Sequence, residues 1–173
     1  MLTIVQVETA AQIQQTQALF VEYFEFLRRD VDTYLDELDE IPFPLAGYQE
    51  ELTMLPGKYA PPAGRLLLAL VDGEVAGCAA LRRFSDGVGE LKRLWTRPQF
   101  RGKKVGRVLV EALIKEARAA GYTAIILSTV DVLKEAQALY QSLGFTVTPP
   151  YFDGPAEMMA HEIFMRLDLS SQG

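Results

Sequence analysis

Cysteine and histidine are almost missing from this chain: Cys78 and His161 are the single examples of each among 173 residues. One cysteine cannot close an internal disulfide, and one cysteine with one histidine cannot supply the clustered ligands of a structural metal site. A Ser-His-Asp or Cys-His enzyme would have to use His161, and nothing near it in sequence is arranged for that. Long apolar runs are lacking as well. No stretch approaches the roughly 20 apolar residues of a membrane helix. The opening MLTIVQVETA has neither the basic start nor the small-residue cleavage site of a secretory leader. A reducing, cytoplasmic setting is therefore the expectation. No repeat, low-complexity tract or linker interrupts the chain, so residues 1–173 are expected to form a single domain. The apolar fraction of 49% and charged fraction of 23% exclude collagen-like, coiled-coil and disordered classes.

A surplus of positive charge is the next absence. The net charge is −6, which argues against bulk binding to nucleic acid. The distribution is more informative than the sum. Lys92, Arg93, Arg97, Arg101, Lys103, Lys104 and Arg107 follow one another without an acidic residue between them. Asp30, Asp32, Asp36, Glu37, Asp39 and Glu40 form an equally one-signed acidic run.

Periodicity orders the rest. Residues 2–7 read as a short strand. Thr9-Ala-Ala-Gln12 has the form of a capping box ahead of a helix that carries Ile13, Phe20, Tyr23, Phe24 and Leu27 and ends near Arg28 or Arg29. Residues 30–64, with Pro42, Pro44, Pro56, Pro61 and Pro62, read as irregular apart from a short helix around 45–54. Leu66–Val71 and Glu74–Arg83 are strands joined at Asp72-Gly73, and Val88–Thr96 adds a third, giving an antiparallel meander that Pro98 stops. Lys103–Ala120 is the clearest helix and Gly121 ends it. Thr123–Ser128 is an apolar strand of the kind buried on both faces. Val132–Leu143 is a further helix. Phe145–Thr148 and His161–Leu167 close the pattern as strands around a loop at Pro149–Met159.

The segment Arg101-Gly-Lys-Lys-Val-Gly106 sits between a strand and the longest amphipathic helix. A helix N-terminus presents free N–H groups and partial positive charge to an anion. Gly102 and Gly106 leave the backbone open to a ligand. Lys103, Lys104 and Arg107 are expected in the first turn, where the helix dipole disfavours each cation by roughly 0.3–1 kcal/mol. A bound anion would reverse that sign, whereas the plain alternative is a solvated basic turn. The spacing is neither that of a Walker phosphate loop nor that of a dinucleotide fold.

On these residues the chain resembles the GNAT superfamily of acetyl-CoA-dependent N-acyltransferases. That family's signature is Gln/Arg-x-x-Gly-x-Gly/Ala after a strand. Arg101 and Gly106 match its ends, and Lys104 stands where the first Gly is usual, placed to reach a phosphate. A second family feature appears as Ala136-Gln-Ala-Leu-Tyr140-Gln-Ser-Leu-Gly144-Phe145, although the Asn often found near the start of that helix is replaced by Leu133 or Lys134. The stretch Pro149–Pro155 is similar to a bacterial subgroup of the family.

The resemblance implies an α+β fold: a mixed, mostly antiparallel central sheet, helices on both faces, and a splayed central strand pair. It implies acetyl-CoA as cosubstrate and no metal. The pyrophosphate would lie on Arg101, Gly102, Lys103, Lys104, Val105, Gly106 and Arg107, and the pantetheine arm along Leu94, Trp95 and Thr96. Tyr140 matches the family's general acid; read from its helix alone it is a core tyrosine. Glu90 is the candidate base, with a strand-edge glutamate that faces solvent or pairs Lys92 or Arg93 as the alternative. His161 reads as a surface or interface residue, and Cys78 as a small buried hydrophobe. Trp95 either shields the thioester or fills the core, and the core reading is favoured.

The expected activity is acetyl transfer to an amine by direct attack. The rivals are a non-catalytic CoA-binding or regulatory module and a nucleic-acid-binding domain built on Lys92–Arg107. The expected partner is a small-molecule or peptide amine. It would be cationic if part of the acidic material at 30–40, with Asp153 and Glu157 of the 149–159 loop, faces the acceptor mouth; a solvated helix face is the alternative. Neither nucleic acid nor a membrane is expected as a partner, and a homodimer is left open.

Overall fold

The cap of the first helix is local chemistry acting as the pattern requires. The Gln12 N–H donates to the Thr9 hydroxyl at 3.1 Å, and the Thr9 N–H donates back to the Gln12 side-chain oxygen at 2.9 Å. Two otherwise unmatched donors are thereby satisfied. Strand β1 (Leu2–Gln6) leads into this helix, α1 (Ala10–Asp30). The computed structural model describes residues 1–30 and 47–169. The acidic run from Asp32 to Glu40 lies outside the described residues, and of Asp30 only the backbone is described.

Helix α2 (Tyr48–Met54) and a 3-10 turn at Gly57–Tyr59 precede the meander of β2 (Arg65–Val71), β3 (Glu74–Ser85) and β4 (Val88–Thr96). Asp72 and Gly73 take φ of 50° and 85°, the consecutive left-handed pair that a tight hairpin turn demands. Helix α3 (Val105–Ala119), β5 (Ala124–Val130), α4 (Lys134–Ser142), β6 (Thr146–Val147), α5 (Ala156–Met159) and β7 (Glu162–Asp168) follow. All seven strands belong to one sheet, in the order β1-β2-β3-β4-β5-β7-β6. Only the β4–β5 pair is parallel. The fold is α+β, a mixed and mostly antiparallel sheet with helices on both faces, as expected.

Two cores flank the sheet. On one face Leu109, Leu113 and Ala117 of α3 and Tyr140 of α4 pack against Leu67, Leu81, Leu91, Ile125 and Leu127. On the other, Leu19, Phe20 and Phe24 of α1 pack with Tyr59 against Leu66, Leu68, Cys78 and Trp95. Glu116, the polar residue on the apolar stripe of α3, accepts from Arg65 Nε at 2.8 Å, which accounts for its place there. Cys78 is buried, as its apolar surroundings in sequence suggest, and burial pushes its thiol above the ordinary range.

The start of α3 differs from expectation. The helix begins at Val105, because Gly102 and Lys104 take left-handed φ of 81° and 63°. Lys103 and Lys104 therefore precede the first turn, Lys104 as its N-cap. Arg107 alone lies in that turn, where it donates to Ser142 Oγ at 2.9 Å and pairs with Glu111 at 3.1 Å.

Candidate active site

A bulge in β4 shapes the centre of the molecule. Cys78 faces Trp95 and Ala80 faces Lys92, so two residues of β4, Arg93 and Leu94, stand opposite Ala79 alone. Arg93 carries the extra residue with φ 59°, a left-handed conformation that costs on the order of 1 kcal/mol in a non-glycine residue. The bulge breaks the alternation of faces. Leu91 and Leu94, three apart, both join the α3 core, whereas Trp95 turns to the α1 core. Gly77 makes this possible, since a Cβ there would stand 2.4 Å from the Trp95 carbonyl oxygen.

The parallel pair parts just ahead of the bulge. Val88, Gly89 and Glu90 pair with Ala124, Ile125 and Ile126, and from there β4 and β5 run on without pairing each other. The expected splayed pair is present. It leaves the β4 main chain after Glu90 without a strand partner on the β5 side, an edge open to hydrogen bonding by an extended ligand.

A cavity of about 750 Å³ occupies the splay. Nine of the ten residues expected to hold the cosubstrate line it: Leu94, Trp95, Thr96, Arg101, Gly102, Lys104, Val105, Gly106 and Arg107. Lys103 does not, and it is exposed. The first helical bond runs from the Val108 N–H to the Lys104 carbonyl, so the N–H groups of Val105, Gly106 and Arg107 stand ahead of the bonded ladder. A Cβ on Gly106 would come no closer than 3.6 Å to Leu139 and 3.7 Å to Thr96, so the glycine leaves room on the cavity side. Arg101 stacks on Trp95 and Phe26 at 5.7 and 5.8 Å. Trp95 is itself buried against Tyr23 and Phe26, and its indole N–H has no partner among the described residues. The unbonded amides, the cations and the open strand edge suit a diphosphate on an amide-rich arm.

Tyr140 lines the same cavity and is buried. Burial, with Tyr23 adding to it, pushes its hydroxyl well above the ordinary phenol range, so it stays protonated at neutral pH. No described residue bonds its hydroxyl.

A second cavity, of about 620 Å³, opens beside the first. The two share Lys92, Arg93 and Ser128, so they meet at the bulge. Glu90 lines this second cavity and not the first. It is neither a solvent-facing edge residue nor a partner of Lys92 or Arg93. It is 3% exposed, and its two oxygens accept from Arg82 Nε at 2.6 Å and the Tyr151 hydroxyl at 2.7 Å. Glu51 of α2 also lies on this wall. It takes two bonds from Arg93, at 2.8 and 3.2 Å, together with Lys58 at 3.0 Å and the Tyr59 hydroxyl at 2.8 Å. Arg93 and Lys58 overcome the opposing effect of burial and hold the Glu51 carboxyl at about 2. Lys92 is pushed down to about 8 by burial and by Arg93.

Sequence reasoning gave Glu51 and Tyr151 no role, and named Lys92 and Arg93 only within the basic run and as candidate partners of Glu90. One signal was available for the bulge, because Leu91-Lys-Arg-Leu94 spaces its apolar residues by three inside a strand whose period is two. His161 pairs with Asp131 at 3.1 Å and lines neither of the two cavities. Among the described residues no group of three His, Cys, Asp or Glu side chains is placed to hold a metal ion, and no helix is long and apolar enough to cross a membrane.

A parallel pair that splays over an amide cradle, with a second cavity opening on the same point, defines a transferase of activated acyl groups. The chain belongs to the acetyltransferase (GNAT) family, which it matches over residues 19–145. It is 37% identical over 142 residues to an N-acetyltransferase of Schizosaccharomyces pombe, covering 81% of this chain and 85% of that protein. It is 36% identical over 86 residues to the human N-acetylaspartate synthetase, covering 49% of this chain and 28% of that one. Its fold is similar to that of the PaiA N-acetyltransferase from Thermoplasma acidophilum in complex with coenzyme A, with a TM-score of 0.72, 17% identity and coverage of 97% and 99%. The protein is an N-acetyltransferase that moves acetyl from acetyl-CoA to an amine acceptor.

Proposed function

We propose that the two cavities divide the reaction between them, with the cosubstrate in the splay and the amine in the cavity of Glu90 and Glu51. The observation that carries this reading is their meeting at Lys92, Arg93 and Ser128, the point where β4 leaves β5. Acetyl-CoA supplies the acetyl thioester. The Val105, Gly106 and Arg107 amides, with Lys104 and Arg101, bind the diphosphate, and the unpaired edge at Leu94, Trp95 and Thr96 orients the arm. Lys103, exposed and away from the cavity, is left out of this set. Tyr140, neutral and unbonded by any described residue, gives its proton to the thiolate sulfur as the amine attacks directly. Cationic Lys92 and Arg93 at the junction disfavour the ammonium form of the bound amine. Glu90 is the proposed carboxylate towards which the amine proton leaves, held in place by Arg82 and Tyr151.

A preference for cationic acceptors rested on the acidic run from Asp30 to Glu40, whose side chains lie outside the described residues, and on Asp153 and Glu157, which are exposed and line neither cavity. The partial relative named N-acetylaspartate synthetase supports no more here than a small-molecule amine as acceptor. The test is a thiol-release assay with acetyl-CoA over a panel of amines, run beside a CoA-binding titration. Release with at least one amine is expected. Tight CoA binding without release on any amine would make the chain a CoA-binding module.

A further inference from the structure

Charge on the wall of the acceptor cavity is paired with one exception. Lys58, Arg82 and Arg93 each meet a carboxylate there, at 3.0 Å to Glu51, 2.6 Å to Glu90 and 2.8 Å to Glu51. Lys92 lines the same wall and has no carboxylate, carbonyl or hydroxyl partner among the described residues. The remaining carboxylate of the lining, Glu50, is exposed. Among the described residues both buried carboxylates of the lining are thus paired with other cations, and Lys92 is left without a carboxylate in direct contact. Burying a cation without a partner is costly, and an occupant carrying an anion removes that cost. The charge stands at the junction of the two cavities, where the amine must meet the thioester.

We infer that the acceptor is an amine bearing a carboxylate close to its nitrogen, an amino acid in free form, and that Lys92 binds that carboxylate at the mouth of the cosubstrate cavity. In an α-amino acid the carboxylate lies one carbon from the amine, so a cation at the junction seats both groups there. The side chain then extends over Tyr59, Phe84, Tyr151 and Phe152, which line the remainder of the cavity. The acidity of Lys92 is in keeping with this. Burial and Arg93 hold it down, Glu90 and Glu51 raise it, and Lys58 lowers it further; Glu162 on β7, pushed up to about 7 by burial and Asp131, faces Lys92, which opposes that rise. A bound carboxylate would raise it again.

This inference rests on the proposed division of the two cavities, and its test reads binding separately from turnover. Phenylalanine and methionine are titrated by calorimetry against their carboxamides, with CoA present, on the wild type and on Lys92→Met and Lys92→Arg. The ratio of acid to amide affinity in the wild type, divided by that in Lys92→Met, cancels the difference in amine basicity within each pair. A quotient of roughly tenfold to a hundredfold is expected, the range of a charge-assisted hydrogen bond to a carboxylate, with Lys92→Arg retaining most of it. Acid affinity should also fall as the pH rises past about 8, where Lys92 loses its proton. A quotient near one overturns the inference, as does failure of both acids to bind. So does a Lys92→Met variant that lowers kcat while leaving KM for the acids unchanged, which would make Lys92 a proton carrier. Binding with the expected quotient but no thiol release on any amine would sink the acetyl-transfer geometry and leave the carboxylate site standing.

Discussion

Replacing Glu51 by glutamine should weaken the fold by about 3 kcal/mol at pH 7. Arg93 and Glu51 are joined across 42 residues, their side chains 9% and 8% exposed. The Glu51 carboxyl sits at about 2 in the folded chain against 4.5 for an ordinary glutamate. That gap of about 2.5 pH units, at about 1.4 kcal/mol each, gives on the order of 3 kcal/mol. The figure lies at the lower end of the 3–5 kcal/mol cost of stripping one partner from a buried pair. The pH dependence has a definite sign. The folded pKa lies below the unfolded one, so the unfolded chain takes up the proton first. The stabilisation is complete above about pH 4.5 and fades as the pH falls from there towards 2. Urea unfolding followed by the fluorescence of Trp95, the one tryptophan and a buried one, measures both chains. The wild type should lead by about 3 kcal/mol at pH 7, and the lead should close in acid. Adding Arg93→Met to Glu51→Gln should restore part of the loss, because the stranded guanidinium goes with it. A loss under about 1 kcal/mol at pH 7, or a lead that stays constant down to pH 3, would refute the reasoning.

The other expectations concern the cosubstrate side. Tyr140→Phe should lower kcat by roughly 10²–10⁴ while leaving CoA affinity and Tm nearly unchanged, since no described residue bonds the hydroxyl; near-normal turnover would return Tyr140 to a packing role. Gly106→Val should raise the acetyl-CoA dissociation constant at least tenfold without unfolding the chain, because its first added carbon meets Leu139 and Thr96 at ordinary contact distance; unchanged affinity would remove the cradle from 105–107. Lys104→Gly should relieve the left-handed backbone at φ 63° and raise stability by up to about 1 kcal/mol, yet weaken acetyl-CoA binding severalfold through the lost cation. Denaturation and CoA titration of that variant should move in opposite directions, and a gain in both would exclude Lys104 from phosphate binding.

Short-range chemistry was legible before any fold. The Thr9–Gln12 cap, the Asp72-Gly73 turn and the 88–96 strand depend on residues within a few positions of one another, and each appears where the pattern places it. The resemblance carried by Arg101–Gly106 and Ala136–Phe145 extended this to the fold, the splay and most of the cosubstrate cavity. It did not extend to the acceptor side. Glu90 finds Tyr151 at 61 positions and Glu51 finds Arg93 at 42, and no periodicity encodes which carboxylate meets which cation over such spans. The start of α3 shifted because backbone handedness at Gly102 and Lys104 decides where a helix can begin, and helical spacing is blind to it. Seven basic residues between 92 and 107 look alike in the chain. The bulge at Arg93 sorts them, sending one guanidinium to Glu51 and leaving Lys92, where the two cavities meet, without a paired carboxylate among the described residues. Residue order determined the elements and the cradle; the packing of α2, β4 and the 151–152 loop around one point decided which charges were left for a substrate.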